Sequence, residues 1–116
     1  MKVHDLMQQL DLKLLTPDVS EDALYAEING GYASDLLSNV MGQAQPGQVW
    51  VTMQGHQNVA AVASLIGLAC VIVAGDAAVA KDTLSKANLN EVVIFSARED
   101  AYTICGRLYA LGIKNA

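Results

Sequence analysis

Val3, Leu6, Met7 and Leu10 recur at i, i+3, i+4 and i+7, so the chain opens on the apolar stripe of a short helix. Lys13 to Thr16 then reads as a strand that Pro17 stops, because the residue before a proline is pushed out of the helical region. The polar, acidic stretch Asp18 to Asp22 reads as a loop. Leu24, Ala26 and Ile28 alternate against Tyr25 and Glu27, the period-two pattern of a second strand over Ala23 to Ile28. Asn29-Gly30-Gly31 follows as a turn, since all three residues tolerate positive φ.

Helical spacing resumes at Leu36, Leu37, Val40 and Met41, with Ser34 as the expected N-cap and Asp35 in the first turn. Pro46-Gly47 ends that unit, and Val49 to Met53 reads as a buried strand. Trp50 and Met53 flank it and are read as core rather than as a stacking platform. Gln54 to Asn58 is a polar loop whose Asn58 can cap a helix over Val59 to Leu65. Ala69 to Ala74 is the most apolar strand, hence the central one. Asp76 is placed to cap a helix carrying Ala80, Leu84 and Ala87, and Glu91 to Phe95 is the last strand. Ser96 and Glu99 have the spacing of a capping box. The helix behind them carries Ala101, Ile104, Cys105, Leu108 and Leu111 on one face and ends at Gly112.

Strands alternating with helices predict an α/β fold, a mostly parallel sheet of about five strands with helices packed on it. No linker or low-complexity segment divides the chain, so residues 1–116 are expected to form a single domain. The run Val59 to Gly75 approaches the length of a membrane span. Gly67 interrupts it, however, and its composition shifts from Ala-rich to β-branched at Val71, Ile72 and Val73, so a helix, a turn and a central strand are expected.

Composition sharpens this picture. Apolar residues make up 53% and charged residues only 16% of the 116, which excludes a disordered chain. A net charge of -5 argues against nucleic-acid binding. Few charges on a small domain leave apolar surface to cover, and a homodimer is the expected solution. Cys70 and Cys105 lie far apart among apolar neighbours, with no CxxC and no signal peptide, which fits a cytoplasmic chain with two buried, reduced thiols. Neither a metal site nor a cofactor is expected: the chain has only 2 histidines and no ligand spacing.

In a parallel sheet, ligands bind beyond the carboxyl ends of the strands, beside helix N-termini whose free amides favour anions. Four loops occupy those places: Asn29 to Asp35, Gln54 to Asn58, Ala74 to Asp76 and Ser96 to Glu99. The candidate ligand-binding residues are accordingly Gly30, Gly31, Ser34, Asp35, Gln54, His56, Asn58, Ser96 and Arg98. Gly30-Gly31 lets a phosphate approach the backbone, but neither G-x-G-x-x-G nor a P-loop is present. His56 can hydrogen-bond a ligand, and Arg98 is the one cation in the four loops. His4 lies in the first helix, on its expected solvent face. No triad and no carboxylate pair can be placed at working distance, so no catalytic residue is assigned and the chain is not expected to be an enzyme.

Two stretches carry a resemblance. Gly30-Gly31-Tyr32-Ala33-Ser34-Asp35-Leu36-Leu37-Ser38 with Val40-Met41, and Val51 through Leu65, resemble the signature of the DRTGG domain family. The likeness runs from about Leu12 through the Cys70 strand to Leu108-Tyr109-Ala110-Leu111-Gly112-Ile113, although no Asp-Arg-Thr precedes Gly30-Gly31. The resemblance is to stand-alone members and implies a fold similar to the N-terminal domain of HPr kinase/phosphorylase. Such modules occur beside CBS domains in regulated pyrophosphatases as regulatory or dimer-forming units. Taken together, these readings lead us to expect a non-catalytic regulatory module that homodimerises and senses a small anionic ligand such as an adenine nucleotide. The alternative is a ligand-free interaction module docking a larger redox enzyme of a hydrogenase-type system, a partner that the free-standing relatives suggest.

Overall fold

Helix α1 (Val3–Leu10) leads to strand β1 (Lys13–Leu14), helix α2 (Glu21–Leu24), β2 (Gly30–Ala33), α3 (Leu37–Gln43) and β3 (Gln48–Thr52). Then come α4 (Asn58–Ile66), β4 (Cys70–Val73), α5 (Lys81–Leu89), β5 (Ile94–Ser96) and α6 (Ala101–Ala110). These elements are those of a computed structural model, which describes residues 1–115. The five strands form one sheet in the order β1-β5-β4-β3-β2. All neighbouring pairs are parallel except β1 with β5. The mostly parallel α/β architecture expected from the alternation is therefore the one observed.

Burial on both faces explains the near-continuous apolar runs. Side chains alternate along a strand. Val49, Val51, Cys70, Ile72 and Phe95 therefore pack with Val3, Leu6, Ile104 and Leu108 of α1 and α6. Trp50, Val71, Val73 and Ile94 pack on the other face with Val40, Val59, Ala63 and Ala87 of α3, α4 and α5. A strand covered on both faces has no polar side, so every residue of β3 and β4 is buried. The Val59 to Gly75 run resolves as expected into α4, a left-handed Gly67 (φ 81°) and β4. Among the described residues, no helix is long and apolar enough to cross a membrane.

Several local expectations are corrected. The Ala23 to Ile28 strand is instead the short helix α2, capped by Ser20, whose Oγ accepts from the Ala23 N–H at 3.2 Å. Its alternation is matched only by the single bridge of Glu27 to Lys2. The Asp18 to Asp22 loop accordingly gives way to helix at Glu21. Asn29-Gly30-Gly31 is not a turn: Gly30 opens β2, paired with Gln48. The strands expected over Lys13 to Thr16 and Glu91 to Phe95 are shortened or shifted, to Lys13–Leu14 and Ile94–Ser96.

Caps were also misplaced by the sequence signals. Leu36, not Ser34, precedes α3; Gln57, not Asn58, precedes α4; Ala80, not Asp76, precedes α5. Asp76 sits in the left-handed region (φ 53°). Ser96 ends β5, and the cap of α6 is Asp100, whose carboxylate accepts from the Thr103 N–H at 2.8 Å. Leu36, just before α3, and Met41 on it are exposed, and Met53 is 48% exposed, while Trp50 is fully buried. His4 is half-buried and stacks on Tyr25, with ring centroids 5.0 Å apart.

Candidate functional site at the carboxyl ends of the strands

β2, β3, β4 and β5 run parallel, so the loops after Ala33, Thr52, Val73 and Ser96 emerge at one end of the sheet. Ser34, Asp35, Gln54, His56, Asn58, Ser96 and Arg98 all belong to that end. Gly30 and Gly31 do not. They begin β2, beside Gln48 and Val49, and so lie toward the opposite end of the outermost strand. A Cβ on Gly30 would stand 2.4 Å from Asn115 Oδ1, so the bare backbone there serves a close approach within the chain.

Several of the gathered groups hold the loops together. Asp35 accepts from the Thr52 hydroxyl and from the Met53 N–H, both at 2.8 Å, tying the β2–α3 loop to the end of β3. The Ser34 carbonyl accepts from the buried Trp50 indole N–H at 2.9 Å, and its hydroxyl from the Leu36 N–H at 3.1 Å. Gly55 is clamped against the start of α5. Its carbonyl accepts from the Thr83 hydroxyl at 2.8 Å and from the Ala80 N–H at 3.1 Å. The Gly75 and Asp76 amides, which a helix start would leave free for an anion, donate instead to the Glu99 and Ala97 carbonyls at 2.8 and 2.9 Å.

The polar groups left facing outward are fewer. His56 is exposed, and its Nδ1 accepts from the Asn58 N–H at 3.1 Å, which leaves Nε2 to carry the proton in the neutral ring and to donate outward. Gln54, Asn58 and Arg98 are exposed as well. Among the described residues, Arg98 enters no ion pair. It lines a cleft of about 260 Å³ with Leu10, Asp11, Ala97, Glu99 and Arg107. Arg107 is already neutralised by Glu99, and it also donates to the Gln9 carbonyl at 3.0 Å, joining α6 to the end of α1. Among the described residues, Arg98 is therefore the cation of this cleft that no carboxylate pairs, in a cleft that Asp11 also lines. Among the described residues, no cluster of three or more His, Cys, Asp or Glu could hold a metal ion.

The two cysteines differ. Cys70 is fully buried in β4, and burial pushes its thiol far up. Cys105, expected in the core, is only half-buried on α6, and partial burial raises it too. It borders a second hollow, between β2 and α6, lined also by Gly31, Ala33, Leu108, Tyr109 and Asn115. Sequence reasoning missed that hollow. Its walls come from segments some 84 positions apart, joined by Asn115 and Gly31, and no local pattern encodes that contact.

Neither a protein-family profile nor a curated protein matches the chain. Its fold, however, is similar to a solved structure of the CBS and DRTGG domains of the regulatory region of Clostridium perfringens pyrophosphatase, complexed with the activator diadenosine tetraphosphate. The two superpose with a TM-score of 0.75 at 11% identity, covering 92% of this chain and 45% of that one. The chain thus spans less than half the length of this structural relative. At that identity the likeness establishes the fold: a compact, DRTGG-like α/β domain.

Proposed function

We propose that this chain is a non-catalytic regulatory module that senses a small anionic ligand, with an adenine nucleotide as the ligand class, and works as a homodimer. The observation that carries the reading is the likeness of fold to a regulatory region complexed with a dinucleoside polyphosphate activator. The outward-facing Gln54, His56, Asn58 and Arg98 supply hydrogen-bond donors and one guanidinium at the carboxyl end of the sheet, where α/β domains take ligands. In this reading Arg98 meets a phosphate, since its planar fork suits bidentate phosphate contact. Gln54, His56 and Asn58 orient the rest, while Ser34, Asp35 and Ser96 shape the loops. Gly30 and Gly31 lie too far along β2 to join them.

Homodimerisation rests on surface chemistry. Leu36, Leu65 and Leu89 are 64%, 72% and 82% exposed in a chain with few charges. A second reading, a docking module for a larger enzyme, is favoured by the position of β2 at the edge of the sheet, where no further strand pairs with it.

A thermal-shift panel of AMP, ADP, ATP, diadenosine tetraphosphate and inorganic phosphate tests the sensor. A ligand at ~100 times its Kd adds about 2.7 kcal/mol, enough to raise Tm by on the order of ten degrees in a domain of this size. A flat response across all five compounds would reject the nucleotide reading. Light scattering on the eluting protein tests the dimer, which a monomeric mass would reject.

A further inference from the structure

We propose that the outer edge of β2 and the hollow beside it form a strand-addition site for an extended peptide that carries an apolar side chain and a nearby carboxylate. The inference depends on neither the nucleotide site nor the homodimer.

The backbone supplies the first argument. Along an edge strand, alternate residues turn their N–H and C=O toward the neighbour and away from it. The Ser34 N–H donates to the Val51 carbonyl at 3.2 Å, so Tyr32 and Ser34 face β3, and Gly31 and Ala33 face outward. The outward pair of Gly31 is taken by a side chain. Its N–H donates to Asn115 Oδ1, and its carbonyl accepts from Asn115 Nδ2, both at 2.9 Å. Gln48 Nε2 steadies the same oxygen at 3.2 Å. A carboxamide offers the same donor and acceptor as a peptide unit. Asn115 therefore stands where one residue of a sixth strand would pair. Ala33, two positions on, is exposed and has no such stand-in among the described residues.

The hollow supplies the second argument. Gly31 has no side chain and Ala33 only a methyl, so the space between β2 and α6 is left as a groove of about 150 Å³ walled by Cys105, Leu108 and Tyr109. An apolar cavity of ~150 Å³ takes a benzene-sized group, whereas whole small-molecule ligands need roughly 300 Å³ or more. The groove therefore fits one leucine- or phenylalanine-sized side chain of an added strand. A second copy pairing through β2 would present only Gly31 and Ala33 and leave the groove empty, which favours a different sequence as occupant.

Charge supplies the third. Among the described residues, Lys114 is the one charged residue lining the groove, with Nζ 4.9 Å from the Tyr109 ring centroid, in a chain whose net charge is -5. A carboxylate close to the inserted side chain would meet it at the mouth. Strand addition of this kind draws affinity from main-chain hydrogen bonds and specificity from the pocketed side chain.

The test uses the whole chain and a fluorescent peptide of alternating valine and threonine, with a central phenylalanine and an aspartate two residues on. A second peptide is N-methylated at the pairing amides. Fluorescence polarisation should show saturable binding that drops at least tenfold on N-methylation or on replacing phenylalanine by serine. Lys114→Glu should weaken it, and Asn115→Ala, which removes the competing amide, should tighten it several-fold. Amide NMR shifts should centre on Gly31, Ala33 and Cys105. Equal binding of the N-methylated peptide to the unaltered chain, weaker binding by Asn115→Ala, shifts centred elsewhere, or no binding at all would each overturn the proposal. Concentration-dependent protection of the Ala33 amide in the chain alone would give the edge to a second copy and overturn it too.

Discussion

Gly55→Ala sets two opposite effects against each other. Replacing glycine at a position that alanine can adopt usually stabilises by ~0.4–1 kcal/mol, through lost freedom of the unfolded chain. Gly55 does not have a positive φ, so the backbone alone would permit that gain. The space does not. A Cβ there would lie 1.9 Å from the Ala78 carbonyl oxygen and 2.9 Å from both the Ala78 carbonyl carbon and Val79 Cα. All three are backbone atoms, so the β3–α4 loop must move away from the start of α5. That movement breaks the hydrogen bonds from the Thr83 hydroxyl and the Ala80 N–H to the Gly55 carbonyl. Two lost bonds, one leaving a fully buried hydroxyl without its acceptor, cost about 2–4 kcal/mol together, which outweighs the entropic gain. Net of that gain the loss is about 1–3.6 kcal/mol, so Tm should fall by roughly 4–14 degrees, at about 4 degrees per kcal/mol. Gly106→Ala is the matched control: it lies within α6 with nothing within 4 Å of the added Cβ, so helix propensity alone should stabilise it by ~0.8–1 kcal/mol. Differential scanning calorimetry of both variants decides the matter. A Gly55→Ala protein as stable as the parent would refute the clamp.

Three further outcomes follow from the same geometry. Asp35→Ala removes the acceptor of the Thr52 hydroxyl and the Met53 N–H and should cost about 1–3 kcal/mol in urea unfolding; an unchanged midpoint would show that the clamp is not formed. The Thr103 N–H holds the Asp100 carboxyl below its usual range, as Ser20 does for Glu91. A depressed carboxyl contributes stability that is present above its unfolded pKa and is lost as pH falls through its folded pKa. Asp100→Ala should therefore lower Tm at pH 7, and its deficit should shrink between about pH 5 and pH 3; a deficit independent of pH would contradict the cap. An exposed-thiol assay should find Cys105 reacting slowly in the native state and Cys70 only after unfolding, whereas fast reaction of both would contradict the packing of β4.

The sequence disclosed the architecture far better than the site. Val49 to Met53 and Ala69 to Ala74 read as strands because covering both faces leaves them almost wholly apolar, Thr52 apart, a signal that survives without any partner being known. The caps failed for a different reason. Ser34, Asp76 and Ser96 are good helix-capping types, but Ser96 belongs to β5, and the Ser34 and Asp76 amides are drawn to the Val51 and Ala97 carbonyls of other segments. Asp35 illustrates this, since it looks like a first-turn acid and is spent on Thr52 and Met53, 17 and 18 positions away. Gly30-Gly31 misled most, because glycines that read as a turn here make room for Asn115 against an edge strand. Gln54, His56, Asn58 and Arg98 are exposed at the carboxyl end of the sheet, where the loop pattern put them.

Calorimetric titration of diadenosine tetraphosphate and of AMP into the purified chain, with Arg98→Ala alongside, tests the regulatory-sensor account most directly. Saturable binding of at least one of them is expected, weakened about tenfold or more in Arg98→Ala, as the loss of a charge-assisted hydrogen bond of ~1.5–3 kcal/mol requires. Absence of binding to both nucleotides, or binding that Arg98→Ala leaves untouched, would contradict it.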